Sequence, residues 1–409
     1  MKYINKKISS VFLVAASAVA ILSSCNKDLE QIPGPAPTPA GDTTQNLNNL
    51  IRNDATLTFF RAAIVRAGLT TTLANPAARY TVFAPTDAAF IASGFPSIAA
   101  INALPVATVT AIVSYNIVPQ NVLTTGIPST FPNFQYPTIF NPAPTLSALL
   151  RLTTFPTVRN GNWINNIPMT TVNTVTGNGV LHKTALVVAP PQRALWERIQ
   201  TDNNLSYLRA AIIRADSGVA TASTLQAALG NIGANLTVFA PTDAAFQATL
   251  TGLITQALIA QGVPPATAAA TAAVLAASPT VFQNPALYGS LSAQTVKGVV
   301  VYHLLGVRAF SNNLPTTVTN YPTLLNTAIP AHPGVGLMAT FTGGQVSAAT
   351  VKGAANASAA NFLINPTPDN NVSYGTTVPP PNTVGYPGTS DQHYTNGVLH
   401  KINQVLLPQ

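Results

Sequence analysis

Tyr80–Phe90 reads YTVFAPTDAAF, and Leu236–Phe246 reads LTVFAPTDAAF. Ten consecutive residues recurring 156 positions apart are not a chance match, so the chain is expected to carry two copies of one unit. In each copy the run Thr81-Val82-Phe83-Ala84 or Thr237-Val238-Phe239-Ala240 predicts a short buried strand, stopped by Pro85 or Pro241. Thr86 or Asp87, and likewise Asp243, then caps a helix that opens with Ala-Ala-Phe90 or Ala-Ala-Phe246.

Working outward, the repeat extends in both directions. Asn49–Gly68 and Glu197–Asp216 share nine of twenty positions at an offset of 148, among them Arg61, Ala62, Ala63, Ile64 and Arg66 with their counterparts. Leu57, Phe60, Ala63 and Ile64 recur at three and four residues, and Leu205, Leu208, Ala211 and Ile212 do the same, so each stretch predicts a helix with one apolar face. Asp54 and Asp202 are expected at its N-terminal turn. Downstream, NGVLHK occurs at Asn178–Lys183 and again at Asn396–Lys401. Asn-Gly is a turn dipeptide; Val180-Leu181 with Leu186–Val188, and Val398-Leu399 through Val405–Leu407, read as strand. Ala189-Pro190-Pro191-Gln192 marks the boundary between the copies.

These two motifs resemble the signatures of the fasciclin (FAS1) domain. The first is carried by Thr81, Phe83, Pro85, Asp87 and Phe90 and by Thr237, Phe239, Pro241, Asp243 and Phe246. The second is carried by Asn178, Gly179 and His182 and by Asn396, Gly397 and His400. The family's intervening Tyr-His pair is matched by Tyr302-His303, whereas the first copy has Tyr115-Asn116. The resemblance implies an α+β fold: two tandem fasciclin-like domains, each a small β-sandwich or wedge with packed helices. It also associates the Tyr302-His303 region with adhesion-receptor binding. The expected layout is a signal peptide over 1–24, a tether over 25–45, domain 1 over 46–190 and domain 2 over 192–409. The second copy is longer. Leu253–Gly262 and the alanine-rich Ala266–Ala277 predict added helices, and Pro-, Gly-, Asn- and Thr-rich loops are expected between His303 and Asn396, notably Asn365–Gln392.

Composition sets limits on chemistry. Only 7% of the 409 residues are charged, against about 25% in a typical soluble domain, and nine Asp with two Glu leave little material for paired-carboxylate catalysis. The net charge of +8 is scattered, with no Lys/Arg block beyond the first seven residues, so nucleic acid is not an expected partner. A single cysteine excludes an intramolecular disulfide and a CxxC metal knuckle. That cysteine closes Leu22-Ser23-Ser24-Cys25 after an apolar run from Val11 to Leu22, too short to span a bilayer. The sequence resembles a bacterial lipobox, which implies lipidation of Cys25 and anchoring to the outer membrane of the cell envelope. Asn26–Glu30 resembles the tether that takes some Gram-negative lipoproteins to the outer face, or serves as a solvated linker. Ile32–Gly41 reads as a stiff proline-rich spacer.

No nucleophile recurs with His182 and His400, so the recurring residues are expected to be structural: Asp as cap, His as a hydrogen-bonded strand residue. No metal, cofactor or enzymatic activity is expected. The function expected is adhesion or interaction with an extracellular protein or glycan. Tyr302, His303, Tyr374 and Tyr386 are the candidate contacts, all in the second copy, which is expected to carry most of the ligand contact. The alternative is a carbohydrate- or small-ligand-binding accessory lipoprotein of an uptake system, with Trp163, Tyr321, Tyr374, Tyr386 and Tyr394 stacking on sugars.

Overall fold

The computed structural model describes residues 44–364 and 389–409; the expectations for Cys25, Tyr374 and Tyr386 fall outside them. The fold is α+β. The first half runs α1 (Leu47–Asn53), α2 (Thr58–Arg66), α3 (Thr70–Ala74), β1 (Tyr80–Pro85), α4 (Asp87–Ala92), α5 (Ile98–Ala103), α6 (Val106–Tyr115), β2 (Ile117–Val118), β3 (Tyr136–Pro137), β4 (Thr153–Thr154), β5 (Pro156–Thr157), β6 (Trp163–Ile164), β7 (Ile167–Thr176) and β8 (Gly179–Thr184). The second half runs α7 (Leu195–Thr201), α8 (Ser206–Ala215), α9 (Leu225–Gly230), β9 (Leu236–Pro241), α10 (Asp243–Ala260), α11 (Pro265–Leu275), α12 (Ala293–Tyr302), β10 (Leu304–Leu305), β11 (Thr319–Tyr321), β12 (Val335–Thr342), β13 (Gln345–Lys352), β14 (Ala360–Asn361), β15 (Gln392–Tyr394) and β16 (Gly397–Ile402).

The two repeated motifs lie side by side. β1 pairs in parallel with β8, placing Phe83 opposite His182, and β9 pairs in parallel with β16, placing Phe239 opposite His400. Each pair sits inside the same four-strand order, β2-β1-β8-β7 and β10-β9-β16-β15. Parallel strands buried on both faces read as continuous apolar runs rather than alternating ones, and Val82, Phe83 and Ala84 are all buried. On one side pack the helices, with Leu47, Phe60, Ile64 and Val113 meeting Val82 and Leu181 in the first half. On the other lies a second apolar layer, where Phe83 and Tyr115 meet Ile127, Tyr136 and Ile167.

Three local expectations are corrected. Asp54 and Asp202 do not open α2 and α8; they close α1 and α7. There they accept the backbone N–H of Thr56 and of Asn204, the side-chain–backbone turn that short carboxylates favour. Leu186–Val188 and Val405–Leu407 do not continue β8 and β16, which end at Thr184 and Ile402. Within the loops expected after His303 lies a four-stranded sheet, β11-β12-β13-β14. Gly343 and Gly344, both at positive φ, make the tight turn that joins β12 to β13. The alanine-rich stretch forms α11, which lies against the long α10.

The halves touch through a buried junction. Phe155 of the first packs on Phe310 and Val398 of the second, and burying each of the two rings contributes roughly 1.5–3 kcal/mol. The turn Ser311–Asn313 is inserted between the halves, with Asn312 Nδ2 donating to the carbonyl of Asn165 at 2.7 Å. Thr157 Oγ1 donates to Asn313 Oδ1 at 3.0 Å. Arg308 lies 5.0 Å from the Phe155 ring centroid and donates to Asn235, His393 and the carbonyls of Tyr394 and Thr395. Burial pushes its guanidinium down to about 10, which leaves it cationic at neutral pH.

Candidate interaction site

Each recurring motif side chain forms the same bonds in both halves. Thr81 Oγ1 donates to the carbonyl of Gln120 and accepts from Val122 N–H, both at 2.7 Å. Thr237 does the same with Val307 and Ala309. The hydroxyl thus pins the segment that follows the short edge strand. Asn178 Oδ1 accepts from Leu47 N–H at 2.8 Å while Nδ2 donates to the carbonyls of Leu73 and Asn75; Asn396 repeats this with Leu195 and Leu229. The Asn side chain therefore satisfies helix-end groups of α1 and α3, or of α7 and α9, that no helix can satisfy for itself. Pro85 and Pro241 close β1 and β9, and Phe90 and Phe246 are buried in the helical layers.

Asp87 and Asp243 cap a helix, but not the one they begin. Thr86 and Thr242 cap α4 and α10. The carboxylate of Asp87 reaches back to α2, accepting from Phe59 N–H at 2.8 Å and Thr58 Oγ1 at 2.6 Å. Asp243 accepts from Tyr207 N–H and Ser206 Oγ at the start of α8 in the same way. Asp87→Ala is expected to lower stability by about 1–2 kcal/mol, read as a fall in the urea midpoint. An unchanged midpoint would show that the carboxylate is not the cap.

The recurring histidines hold no free nitrogen. His182 Nδ1 accepts from Asn173 N–H and Nε2 donates to the Val122 carbonyl; His400 does so with Asp391 N–H and the Ala309 carbonyl. Burial pushes His182 down to about 4 and lowers His400 as well. Among the described residues no cluster of three His, Cys, Asp or Glu side chains could hold a metal ion.

Tyr302 and His303 are not surface contacts. They are 0% and 1% exposed. Tyr302 Oη donates to the Gly334 carbonyl at 2.6 Å. His303 Nδ1 donates to the Val299 carbonyl one helical turn back, and Nε2 accepts from Leu406 N–H. Asn116 fills the same place in the first half, donating to the carbonyls of Ile112 and Val188. The missing histidine is thus a replacement of one structural donor by another. Two of the aromatics expected to stack on sugars are also interior: Trp163 and Tyr394 are 4% and 1% exposed, and Tyr321 is half-buried against Phe131. That removes most of the described support for the sugar-stacking alternative.

What the first half does leave open is a groove of about 660 Å³ lined by Arg61, Ala62, Val65, Arg66, Asn102 and Val106. Both arginines lie in the repeated helix and recur as Arg209 and Arg214; Arg61 and Arg209 make the same bond, to the carbonyls of Arg52 and Gln200.

The family model for the Fasciclin domain matches residues 55–190. Residues 55–190 form a fasciclin domain. Fasciclin domains are adhesion and interaction modules of a non-enzymatic kind, and the second half repeats this domain's motifs and central strand order. Among solved structures the chain is similar to a FAS1 domain pair from the insect cell adhesion molecule Fasciclin I. The two are 13% identical with a TM-score of 0.31, over 85% of this chain and 95% of that one. No curated protein sequence matches the chain.

Proposed function

We propose that this is an envelope lipoprotein that uses its fasciclin modules to bind a protein or glycan outside the cell. The observation that favours interaction over catalysis is the fate of the recurring motif. Its Thr, Asp, Asn and His side chains all bond to the chain's own backbone or helix ends, and the histidines are buried and held neutral. Leu22-Ser23-Ser24-Cys25 supports the anchor. Among the described residues no helix is long and apolar enough to cross a membrane. Several acyl chains on one cysteine would give stable attachment where a single chain is marginal. Cys25→Ala is expected to abolish incorporation of labelled palmitate and to shift the protein from the membrane fraction to the soluble fraction. Normal acylation and retention of that variant would sink the anchoring. Attachment of the intact protein to host or neighbouring-cell surfaces, lost on proteolytic shaving, tests the interaction.

A further inference from the structure

We propose that the Arg61–Arg66 groove of the first module binds an acidic peptide segment, with a carboxylate held by the arginines and an aliphatic side chain on the apolar wall. This rests on the reading of the module as an interaction domain and names its site and ligand chemistry. The wall is formed by Ala62 and Val65 of α2 and Val106 at the start of α6, and the two valines are 64% and 53% exposed.

Among the described residues no carboxylate pairs with the charge at the groove. Residues 44–190 contain only two acidic side chains, Asp54 and Asp87. Asp54 is paired with Lys183 at 2.5 Å, and Asp87 is spent on the start of α2. Arg61 and Arg66 donate instead to the backbone carbonyls of Arg52 and Leu104. Arg66 Nε is buried and donates to nothing, so the guanidinium is under-bonded where it stands and gains by turning onto an acceptor.

The second half supplies an internal comparison. Its equivalent arginine, Arg214, donates through Nε to the carbonyl of Leu291, the counterpart of Leu104. The ring of Tyr288 covers it, with a centroid 3.6 Å from Cζ. There the chain provides its own planar partner for the guanidinium. Among the described residues no ring covers Arg66, and the same arginine borders the open groove. A carboxylate matches the arginine fork in two parallel bonds. The lining holds no aromatic ring on which a sugar could stack, whereas its valines suit an aliphatic side chain. Those two features favour a peptide over an acidic glycan.

The test uses the full-length protein and a fluorescein-labelled peptide of three Leu-Glu repeats, with a Leu-Gln peptide and oligogalacturonate as comparisons. Anisotropy at physiological salt is expected to show saturable binding of the Glu peptide and at least tenfold weaker binding of the other two. Arg61→Ala and Arg66→Ala are each expected to weaken binding tenfold or more, and Arg209→Ala to leave it unchanged. Val65→Glu, at an exposed position, places a repelling carboxylate in the groove and tests the site if Arg66→Ala fails to fold. Equal binding of the Glu and Gln peptides, preference for oligogalacturonate, no binding, or binding unaffected by Val65→Glu would each overturn the proposal. Cell-surface attachment measured in parallel separates the two failures. A protein that attaches without binding peptide has lost this site but kept the interaction reading, and one that does neither has lost both.

Discussion

Lowering the pH from about 7 to about 4.5 is expected to open the second half of the chain before the first. Burial lowers His303 to about 4 and also depresses His393 and His400, the charge of Arg308 adding to the effect on His393. In the first half only His182 is held down, to about 4. A histidine kept neutral by the fold protonates first in the unfolded chain. The stability it contributes is fully present above the ordinary 6.5 and is lost as pH falls through that value toward the folded one. For a group held near 4, as His303 and His182 are, the loss is on the order of 3 kcal/mol; the second half carries two further depressed histidines beside its one, and the first half none. Asp391, 3.9 Å from His400, works against the trend and softens that member of the set. Hydrogen-exchange protection at β16, taken relative to the intrinsic rate at each pH, should fall on acidification ahead of protection at β8; the reverse order would refute the assignment. His303→Asn, which copies the Asn116 arrangement of the first half, should fold and flatten the dependence.

Gly179→Ala and Gly397→Ala are each expected to unfold the half that carries them. A Cβ on Gly179 would collide with the Tyr80 carbonyl oxygen and lie 2.5 Å from Leu47 Cδ1. On Gly397 it would collide with the Leu236 oxygen and lie 2.5 Å from Leu195 Cδ1. The obstacle is backbone in a parallel strand pair, which cannot step aside as a flexible side chain can. The expected cost is about 3 kcal/mol or more, at the upper end of overpacking effects. Gly298→Ala in α12, where nothing lies within 4 Å, should instead gain up to about 1 kcal/mol from helix propensity. Thermal melts of the three variants check both signs, and a Gly397→Ala protein that melts like the parent would contradict the close approach.

The repeated motifs made the strand, the turn and the helix start legible, because each rests on chemistry within four or five residues. The roles of the charged residues were harder to read. Asp54 and Asp202 precede an apolar helix and look like caps, yet the caps are Asp87 and Asp243, 28 and 36 residues away from the N–H groups they bond. Nothing local marks a carboxylate that reaches across elements. Tyr302 and His303 sit at the end of a helix whose apolar residues surround them; the depth of that end follows from Gly334 and Leu406, which the chain brings in from 32 and 103 residues away. The sheet β11–β14 had a readable sign in the Gly343-Gly344 turn between alternating runs, obscured by the Thr, Asn and Pro around it. The groove was not readable, since its walls come from separate helices.

The parallel pairing of β1 with β8 has a mechanical consequence. The six registered pairs from Tyr80 with Gly179 to Pro85 with Thr184 join a strand early in the module to one near its end. Tension drawn backward through residue 44 and forward through residue 190 would pull these two strands past each other along their length. Their hydrogen bonds would then be strained together instead of parting one at a time, as they do when a hairpin is peeled open. Such a module resists stretching along the line from its first residue to its last far better than prying from one edge.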